Sequence, residues 1–290
     1  MRGVAEGRVP REGFDLHYRT AGSGTPAVLL SGGPGLDVDY MAGIAGHVPS
    51  SWQCVFLEQR GTGRSRPPNL NRENMTLPLA IDDLEALRRR LEQDRLLLVG
   101  HSWGAMLAMA YAAKYPRQVD RLLLIGPGGM TPEFFRIADD NIRSRLHPQD
   151  LEAQLYWGAA ARSGIDADKA GLEVLRAIMP AYFFDRDKAL EFAAQLPEGT
   201  VHADASRYLR VDLGETYDLR ESLWGFDRPV AIVQGHQDPV PESTTEETHR
   251  VLKCSSLEYI HQCGHFPWIE QPAEFRRIVS EFLNGSSANV

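Results

Sequence analysis

The sequence predicts an α/β protein with a mostly parallel central sheet, helices on both faces of the sheet, and a helical insertion. The first observation is a repeated alternation of short apolar runs with helical patterns, which is typical of a parallel sheet covered on both faces. The second is that runs such as residues 27–30 are continuously apolar, as strands buried on both faces are. The third is a change of character between residues 130 and 227, where apolar runs disappear and aromatic side chains become frequent.

Short runs bounded by turn residues predict the strands. Residues 14–20 alternate apolar and polar side chains, which is typical of a half-exposed strand, and the later runs are mainly apolar. Glycine or proline follows several of the runs and marks the turns between elements. In chain order the predicted strands are residues 14–20, 27–30, 53–57, 96–99, 119–125, 229–233 and 256–260.

Apolar positions at helical spacing predict the helices. The segment at residues 79–91 also has Asp82, Asp83 and Glu85 near its N-terminus, where the helix dipole favours acidic groups. The segment at 105–113 consists mainly of small residues, and Pro116 ends it. In chain order the predicted helices are residues 79–91, 105–113, 151–161, 170–178, 188–196, 243–252 and 273–283.

These elements predict one α/β domain that is interrupted by an insertion. Residues 1–129 and 228–290 form the two parts of the core, and residues 130–227 form a helical cap insertion rather than an independent domain. The length of 290 residues suits one large domain with such an insertion. Residues 284–290 are expected to form a frayed tail.

Composition disfavours several classes of partner and favours a cytoplasmic location. The net charge of −8 disfavours nucleic acid and anionic membranes, so the expected partner is a small molecule or a short peptide. The three cysteines, Cys54, Cys254 and Cys263, are too few for a disulfide framework and favour a reducing compartment. The first residues lack the apolar core of a signal peptide, and no segment reaches the length of a membrane span.

The stretch around Ser102 carries the strongest sign of chemistry. The apolar run 96–99 stops at Gly100-His101-Ser102-Trp103-Gly104, and a helical pattern follows at once. This strand–turn–helix context is the one that a nucleophile elbow requires, because the tight turn leaves no room for side chains two residues before and after the serine. The alternative is an ordinary strand–helix turn in which the serine caps the helix.

A nucleophilic serine needs a base, and the base needs an orienting acid. After a strand–turn–helix serine of this kind, the acid and then the histidine are expected along the chain, each just past a late strand. Asp238 follows the strand 229–233 and is predicted as the acid, with a simple turn residue as the alternative. His265 follows the strand 256–260 and is predicted as the base, ahead of its competitors His236, near Asp238, and His261, which is expected to be still on the strand.

Two further loops contain residues with a possible function. Residues 31–35, Ser-Gly-Gly-Pro-Gly, would let backbone approach a ligand, so that an N–H near Gly32 and Gly33 and the N–H of Trp103 would hold an oxyanion. A plain tight turn is the alternative. The loop Glu58-Gln59-Arg60-Gly61-Thr62-Gly63-Arg64-Ser65 is expected to tie neighbouring loops together, rather than to place Arg60 or Arg64 on the substrate. A metal site at His261, Cys263 and His265 is disfavoured because no other ligands at zinc-site spacing accompany them.

Taken together, these motifs resemble the α/β-hydrolase superfamily, and within it the proline iminopeptidase-like serine peptidases. The motifs are Gly-Gly-Pro-Gly at 32–35, Gln-Arg-Gly-x-Gly-Arg-Ser at 59–65, the Ser-Trp-Gly elbow, Asp238 and Gly264-His265. The resemblance implies an α/β-hydrolase fold, the triad Ser102, Asp238 and His265, and an oxyanion hole formed by Gly33 and Trp103. It also implies the release of N-terminal proline or a similar small residue from short peptides, without a metal or cofactor.

The chain departs from the pattern of that branch at three positions. Ser31 stands where the family usually has His, His101 where it has Gly, and Glu58 where it has Asp. The family also binds the ammonium group of its substrate with carboxylates of the cap. The candidates for this role, among which no motif decides, are Glu133, Glu152, Asp185, Glu191, Asp204 and Glu215.

The predicted function is therefore that of a serine hydrolase that forms an acyl-enzyme, with an aminopeptidase as the first specific expectation. A carboxylesterase or lactonase acting on a small apolar ester is the alternative, because apolar and aromatic walls are common in small-molecule pockets. The same aromatic residues would also suit simple core packing. A non-catalytic ligand-binding protein is the third class. The complete set of Ser, Asp and His argues against it. The base must be neutral to act, and the ordinary pKa of a histidine side chain is ~6.5. Activity is therefore expected to fall on acidification.

Overall fold

A computed structural model describes residues 4–163 and 166–285, without the side chains of Glu215 and Thr216. It contains one sheet of eight strands in these ranges, in the spatial order β1-β2-β4-β3-β5-β6-β7-β8. The strands are β1 Ala5–Arg11, β2 Phe14–Ala21, β3 Thr25–Leu30, β4 Trp52–Leu57, β5 Leu96–His101, β6 Val119–Ile125, β7 Val230–Gly235 and β8 Ser255–Ile260. The β1–β2 and β2–β4 pairs are antiparallel, and the other pairs are parallel. The predicted mostly parallel sheet is confirmed.

Helices follow the strands in alternation. The helices within the described residues are α1 Ala42–Ala45, α2 Leu77–Arg90, α3 Trp103–Lys114, α4 Phe134–Arg145, α5 Pro148–Arg162, α6 Ala167–Ile178, α7 Arg186–Gln195, α8 Ala203–Thr216, α9 Arg220–Leu223, α10 Glu242–Val251, α11 Pro267–Glu270 and α12 Pro272–Asn284. Each helix predicted from the sequence overlaps one of these. The predicted frayed tail lies outside the described residues, except for Asn284 and Gly285.

Alternate side chains of each central strand enter two separate cores. In β3, Val28 and Leu30 pack in the core that contains α2 and α3, whereas Ala27 and Leu29 pack in the core with α1 and α12. Two-sided burial explains why these strands are continuously apolar in sequence. Helix α3 is buried almost throughout, because its alanines let it lie close to the sheet.

The strand β1 was not predicted. It pairs with β2 at the edge of the sheet, and only Val9 in it is buried. Its other side chains are polar or small, so the sequence has no alternation to detect. A correction also applies to His261, which was placed on the last strand but lies one residue beyond the end of β8.

Helices α4 to α9 lie between β6 and β7, and the described residues of this stretch contain no regular strand. Leu209 and Leu213 of α8 belong to the same core as α2 and α3, and Asp212 accepts a hydrogen bond from the N–H of Leu77 at 2.7 Å. The helices are thus fixed to the sheet domain through α8. The boundaries 1–129, 130–227 and 228–290 stay a prediction. No helix in the described ranges is long and apolar enough to cross a membrane.

Candidate active site

Ser102 lies at the junction of β5 and α3 in a strained backbone conformation. Its φ is 55° and its ψ is −116°, which is rare for a residue with a side chain. A Cβ added to Gly100 would come within 2.5 Å of the Gly104 backbone, and one added to Gly104 within 2.1 Å of the Leu30 carbonyl oxygen. The predicted steric reason for both glycines is confirmed, and Leu30 adds a contact that the motif alone does not reveal.

Asp238 and His265 form a buried pair beside this junction. Asp238 follows β7 and His265 follows β8, and the distance from His265 Nδ1 to Asp238 Oδ2 is 2.7 Å. The other carboxylate oxygen of Asp238 accepts the N–H of Val240 at 2.8 Å. The carboxylate is fully enclosed and only accepts hydrogen bonds, so Nδ1 of His265 carries the proton of this hydrogen bond. Ser102 and His265 line the same cavity.

The predicted oxyanion donors have free N–H groups. In the described part of the chain, no acceptor takes the N–H of Gly33 or that of Trp103. The N–H of Gly32 is different, because it donates to the Tyr40 hydroxyl at 2.5 Å. Of the two glycines considered in this loop, Gly33 is therefore the one with a donor available.

Tyr40 and His101 connect the three loops around Ser102. The Tyr40 hydroxyl lies 2.8 Å from His101 Nδ1, and His101 Nε2 lies 3.0 Å from the backbone oxygen of His265. A carbonyl only accepts, so Nε2 of His101 carries the proton and Nδ1 accepts from Tyr40. Burial, followed by the neighbouring His265, holds the pKa of His101 well below its usual range, and burial raises the pKa of Tyr40. The Tyr40 hydroxyl and the His101 ring are thus both uncharged, and each of their hydrogen-bonding groups has a partner.

The loop at residues 58–65 ties its neighbours together, as predicted. Gln59 accepts from the indole N–H of Trp103 at 2.9 Å and donates to the backbone oxygen of Ser31 at 2.9 Å. Arg60 donates two hydrogen bonds to Asp83, of 2.9 and 2.7 Å, and the carboxylate of Glu58 binds Arg64. Neither arginine lies on the wall of the cavity that contains Ser102.

The cavity beside Ser102 has a volume of about 340 Å³ and a largely apolar wall. Val174, Leu175 and Ile178 of α6 form one side of it. The face of α8 that carries Ala203, Ser206, Arg207 and Arg210 forms another. None of the described residues that line the cavity is acidic, and its only charged side chains within that set are the two arginines.

Of the six carboxylates that were candidates for binding an ammonium group, the five whose side chains are described do not line this cavity. Glu133, Glu152 and Glu191 are exposed, and Asp185 caps α7 by accepting two backbone N–H groups. Asp204 pairs with Arg207 at 2.8 Å. The side chain of Glu215 lies outside the described part of the chain.

The competing histidines lie elsewhere. His236 is 2.6 Å from Glu242 and stacks on Tyr259, and the ring of His261 lies beside that of His236. In residues 4–163 and 166–285, no three His, Cys, Asp or Glu side chains are grouped so that they could hold a metal ion.

Sequence reasoning missed two residues that hold the Asp–His pair. A Cβ on Gly126 would lie 2.8 Å from His265 Nδ1, so only glycine at this position leaves room for the Asp238–His265 pair. Glu270 accepts the N–H of Gly264 at 2.6 Å and those of Phe184 and Asp185 at 2.9 Å each. The sequence shows Gly-Pro-Gly-Gly directly after β6, which marks the position of Gly126. Nothing in the sequence indicates which groups Glu270 binds.

A strained serine at a strand–helix junction, together with a buried Asp–His pair after the last two parallel strands, defines the α/β hydrolases as a class. The chain belongs to this family, because the family model described as alpha/beta hydrolase fold matches residues 25–272.

Within the family the chain is similar to proline iminopeptidases. It is 25% identical to the proline iminopeptidase of Heyndrickxia coagulans over 289 residues, which are 97% of this chain and 96% of that protein. The crystal structure of proline iminopeptidase from Mycobacterium smegmatis matches with a TM-score of 0.73 at 19% identity, covering 97% of this chain and 98% of that one. An esterase from Exiguobacterium antarcticum matches with a TM-score of 0.71 at 17% identity, covering 96% and 99%. The predicted resemblance is confirmed, and the solved structures at these identities support the fold alone.

Proposed function

We propose that the protein is a serine hydrolase in which Ser102 is the nucleophile, His265 the base and Asp238 the orienting acid. The observation that carries the proposal is the buried hydrogen bond of 2.7 Å between His265 and Asp238, next to a cavity shared with the strained Ser102. A carboxylate in this position fixes the tautomer and orientation of the imidazole and stabilises the imidazolium that forms during the reaction.

The reaction proceeds through an acyl-enzyme. Nε2 of His265 takes the proton of Ser102 as the serine oxygen attacks the substrate carbonyl, and the N–H groups of Gly33 and Trp103 hold the resulting oxyanion. The imidazolium then gives its proton to the leaving oxygen or nitrogen, and the bond to the leaving group breaks. Water, deprotonated by the same His265, then attacks the acyl-enzyme. The bond between the acyl carbon and Ser102 Oγ breaks, His265 returns the proton to Oγ, and the acid is released.

The cavity favours an ester or a lactone with an apolar chain next to the scissile bond as the substrate. Its wall is largely apolar, and no described lining residue offers a carboxylate to a substrate ammonium group. An aminopeptidase is the second candidate, because the relatives named proline iminopeptidase align over almost the whole chain. We infer a small-molecule substrate rather than nucleic acid or a membrane, and the cytoplasmic location stays a prediction from the sequence.

One comparison of substrates tests these alternatives. Hydrolysis of a short-chain aryl ester is measured beside that of an N-terminal proline anilide, with labelling of Ser102 by a fluorophosphonate. We expect ester turnover, labelling of the wild type, and a loss of at least about 10⁴-fold in kcat for Ser102→Ala. The matched control is Ser144→Ala, an exposed serine of α4. Faster anilide turnover would favour the aminopeptidase, and a protein that neither turns over nor is labelled would be a non-catalytic binder.

A further inference from the structure

Arg207 and Arg210 make the cavity positively charged in a protein whose net charge is −8. Both lie on the face of α8 that lines the cavity, three residues apart and hence on the same side of the helix. The start of this face is close to the predicted oxyanion loop, because a Cβ on Gly35 would lie 2.8 Å from the Ser206 nitrogen. The arginines are therefore placed along the wall that extends from that loop.

The two arginines differ in how far their charges are already compensated. Arg207 donates to Asp204 at 2.8 Å and to the Tyr208 hydroxyl at 3.0 Å. Arg210 has no ion-pair partner among the described residues, and its guanidinium lies over the Phe135 ring at 5.4 Å. A guanidinium stacked on an aromatic ring is held in place while its N–H donors stay available.

Arg210 also lies close enough to the reaction centre to matter there. Burial raises the pKa of Tyr182, the positive charge of Arg210 acts against that rise, and the ring of Tyr182 is 5.2 Å from that of His265. Tyr182 lines the same cavity as Arg210 and Ser102. A substrate whose carbonyl group is at Ser102 thus has an unpaired, solvent-exposed guanidinium on the wall of the same cavity.

We infer that Arg210, assisted by Arg207, forms an anion subsite, and that the substrate is an ester carrying a carboxylate away from the scissile bond. This inference rests on the proposed serine hydrolase and names its substrate class. The apolar face of α6 contacts the hydrocarbon part of the substrate, which lies between the scissile ester and the carboxylate. A planar guanidinium suits a carboxylate because two of its N–H groups can donate in parallel.

The turnover experiment compares the 4-nitrophenyl monoester of adipic acid with its methyl ester, which has the same acyl chain and no charge. We expect the acid to have the higher kcat/KM, by up to about fivefold, since an exposed ion pair contributes at most about 1 kcal/mol. Arg210→Gln should remove this preference, Arg210→Lys should keep part of it, and Arg207→Gln should reduce it less. The preference should shrink between about 50 and about 500 mM salt, because exposed charges are screened.

The control is Arg136→Gln, which removes an exposed arginine of α4 that lies outside the cavity and should leave the preference intact. Equal kcat/KM for the acid and its methyl ester in the wild type would overturn the subsite. So would a preference that survives Arg210→Gln.

A binding experiment separates failure of the subsite from failure of the proposed chemistry. In Ser102→Ala protein, calorimetry compares monomethyl adipate with dimethyl adipate. Tighter binding of the monoanion that is lost on adding Arg210→Gln supports the subsite even where no ester is hydrolysed, in which case only the serine hydrolase fails. Equal binding of the two compounds overturns the subsite even where the neutral ester is a good substrate.

Discussion

Gly126 lies directly against the Asp238–His265 pair, and its backbone has a φ of +49°. We expect Gly126→Ala to lower kcat strongly, because the new Cβ would meet His265 Nδ1 at 2.8 Å and Asp238 Oδ2 at 3.0 Å. Steady-state kinetics with an aryl ester checks this, and the change in KM should be the smaller one, since the substitution acts on the base.

Gly199→Ala is the matched control for backbone strain. Gly199 also has a positive φ, of +84°, but an added Cβ would meet nothing within 4 Å. Alanine in such a conformation costs about 1 kcal/mol in stability at either position. Gly126→Ala and Gly199→Ala could instead lose the same small amount of activity. In that case, a steric contact with the Asp238–His265 pair is not the reason for glycine at position 126.

Single residues of the candidate site were predictable where they carry a local signature. Ser102, Asp238 and His265 each follow a strand that the apolar pattern indicates, so local sequence locates them. Tyr40 carries no such signature, and the motif that contains Gln59 does not identify its partner, since His101 and Trp103 lie 61 and 44 residues away from Tyr40 and Gln59. Contacts at that separation depend on how strands are ordered in the sheet, which the sequence of one loop does not contain.

At the scale of elements, the short helix α11 fixes the loop that carries the base to the segment before α7. Its last residue, Glu270, accepts one N–H with Oε2 and two with Oε1. An amide in Glu270→Gln has only one acceptor oxygen, so its NH₂ group must face at least one of these donors. We expect a loss of about 1–3 kcal/mol in stability, together with a lower kcat because Gly264 immediately precedes His265.

Thermal unfolding and ester kinetics on the same samples measure both effects. The control is Glu274→Gln in α12, which removes an exposed carboxylate paired with Arg277 and should change stability by less than about 1 kcal/mol. An unchanged melting temperature and kcat for Glu270→Gln would contradict the role assigned to this contact.

The periodicity of apolar residues predicts which segments are strands and which are helices. It predicts the spatial order of the strands in the sheet only in part. Parallel strands connected by helices were expected, and β3 to β8 follow that pattern. The edge strand β1 was missed because a strand with one buried side chain is stabilised by pairing with β2 rather than by its own sequence. The charge of the cavity was also not predictable, because it depends on which face of α8 lines the wall.

At the scale of the whole molecule, buried and partly buried histidines are expected to make stability depend on pH. Burial lowers the pKa of His47, His101 and His202 below the ordinary value of histidine. Between the lowered pKa and ~6.5 the unfolded chain binds more protons than the folded chain, so the free energy of unfolding falls as the pH falls. Each such histidine contributes up to about 1.4 kcal/mol per pH unit in that window.

We therefore expect the free energy of unfolding to be nearly constant between about pH 8 and 7 and to fall below about pH 6.5. Urea unfolding at a series of pH values measures it, and His101→Gln should reduce the slope below about pH 6.5 by one histidine's share. Raised pKa values at Asp37 and Glu270, both due first to burial, act in the opposite direction at lower pH, so the series should stop near pH 5.5. A free energy that does not change from pH 8 to 5.5, or an unchanged slope in His101→Gln, would show that protonation of these sites is not coupled to folding.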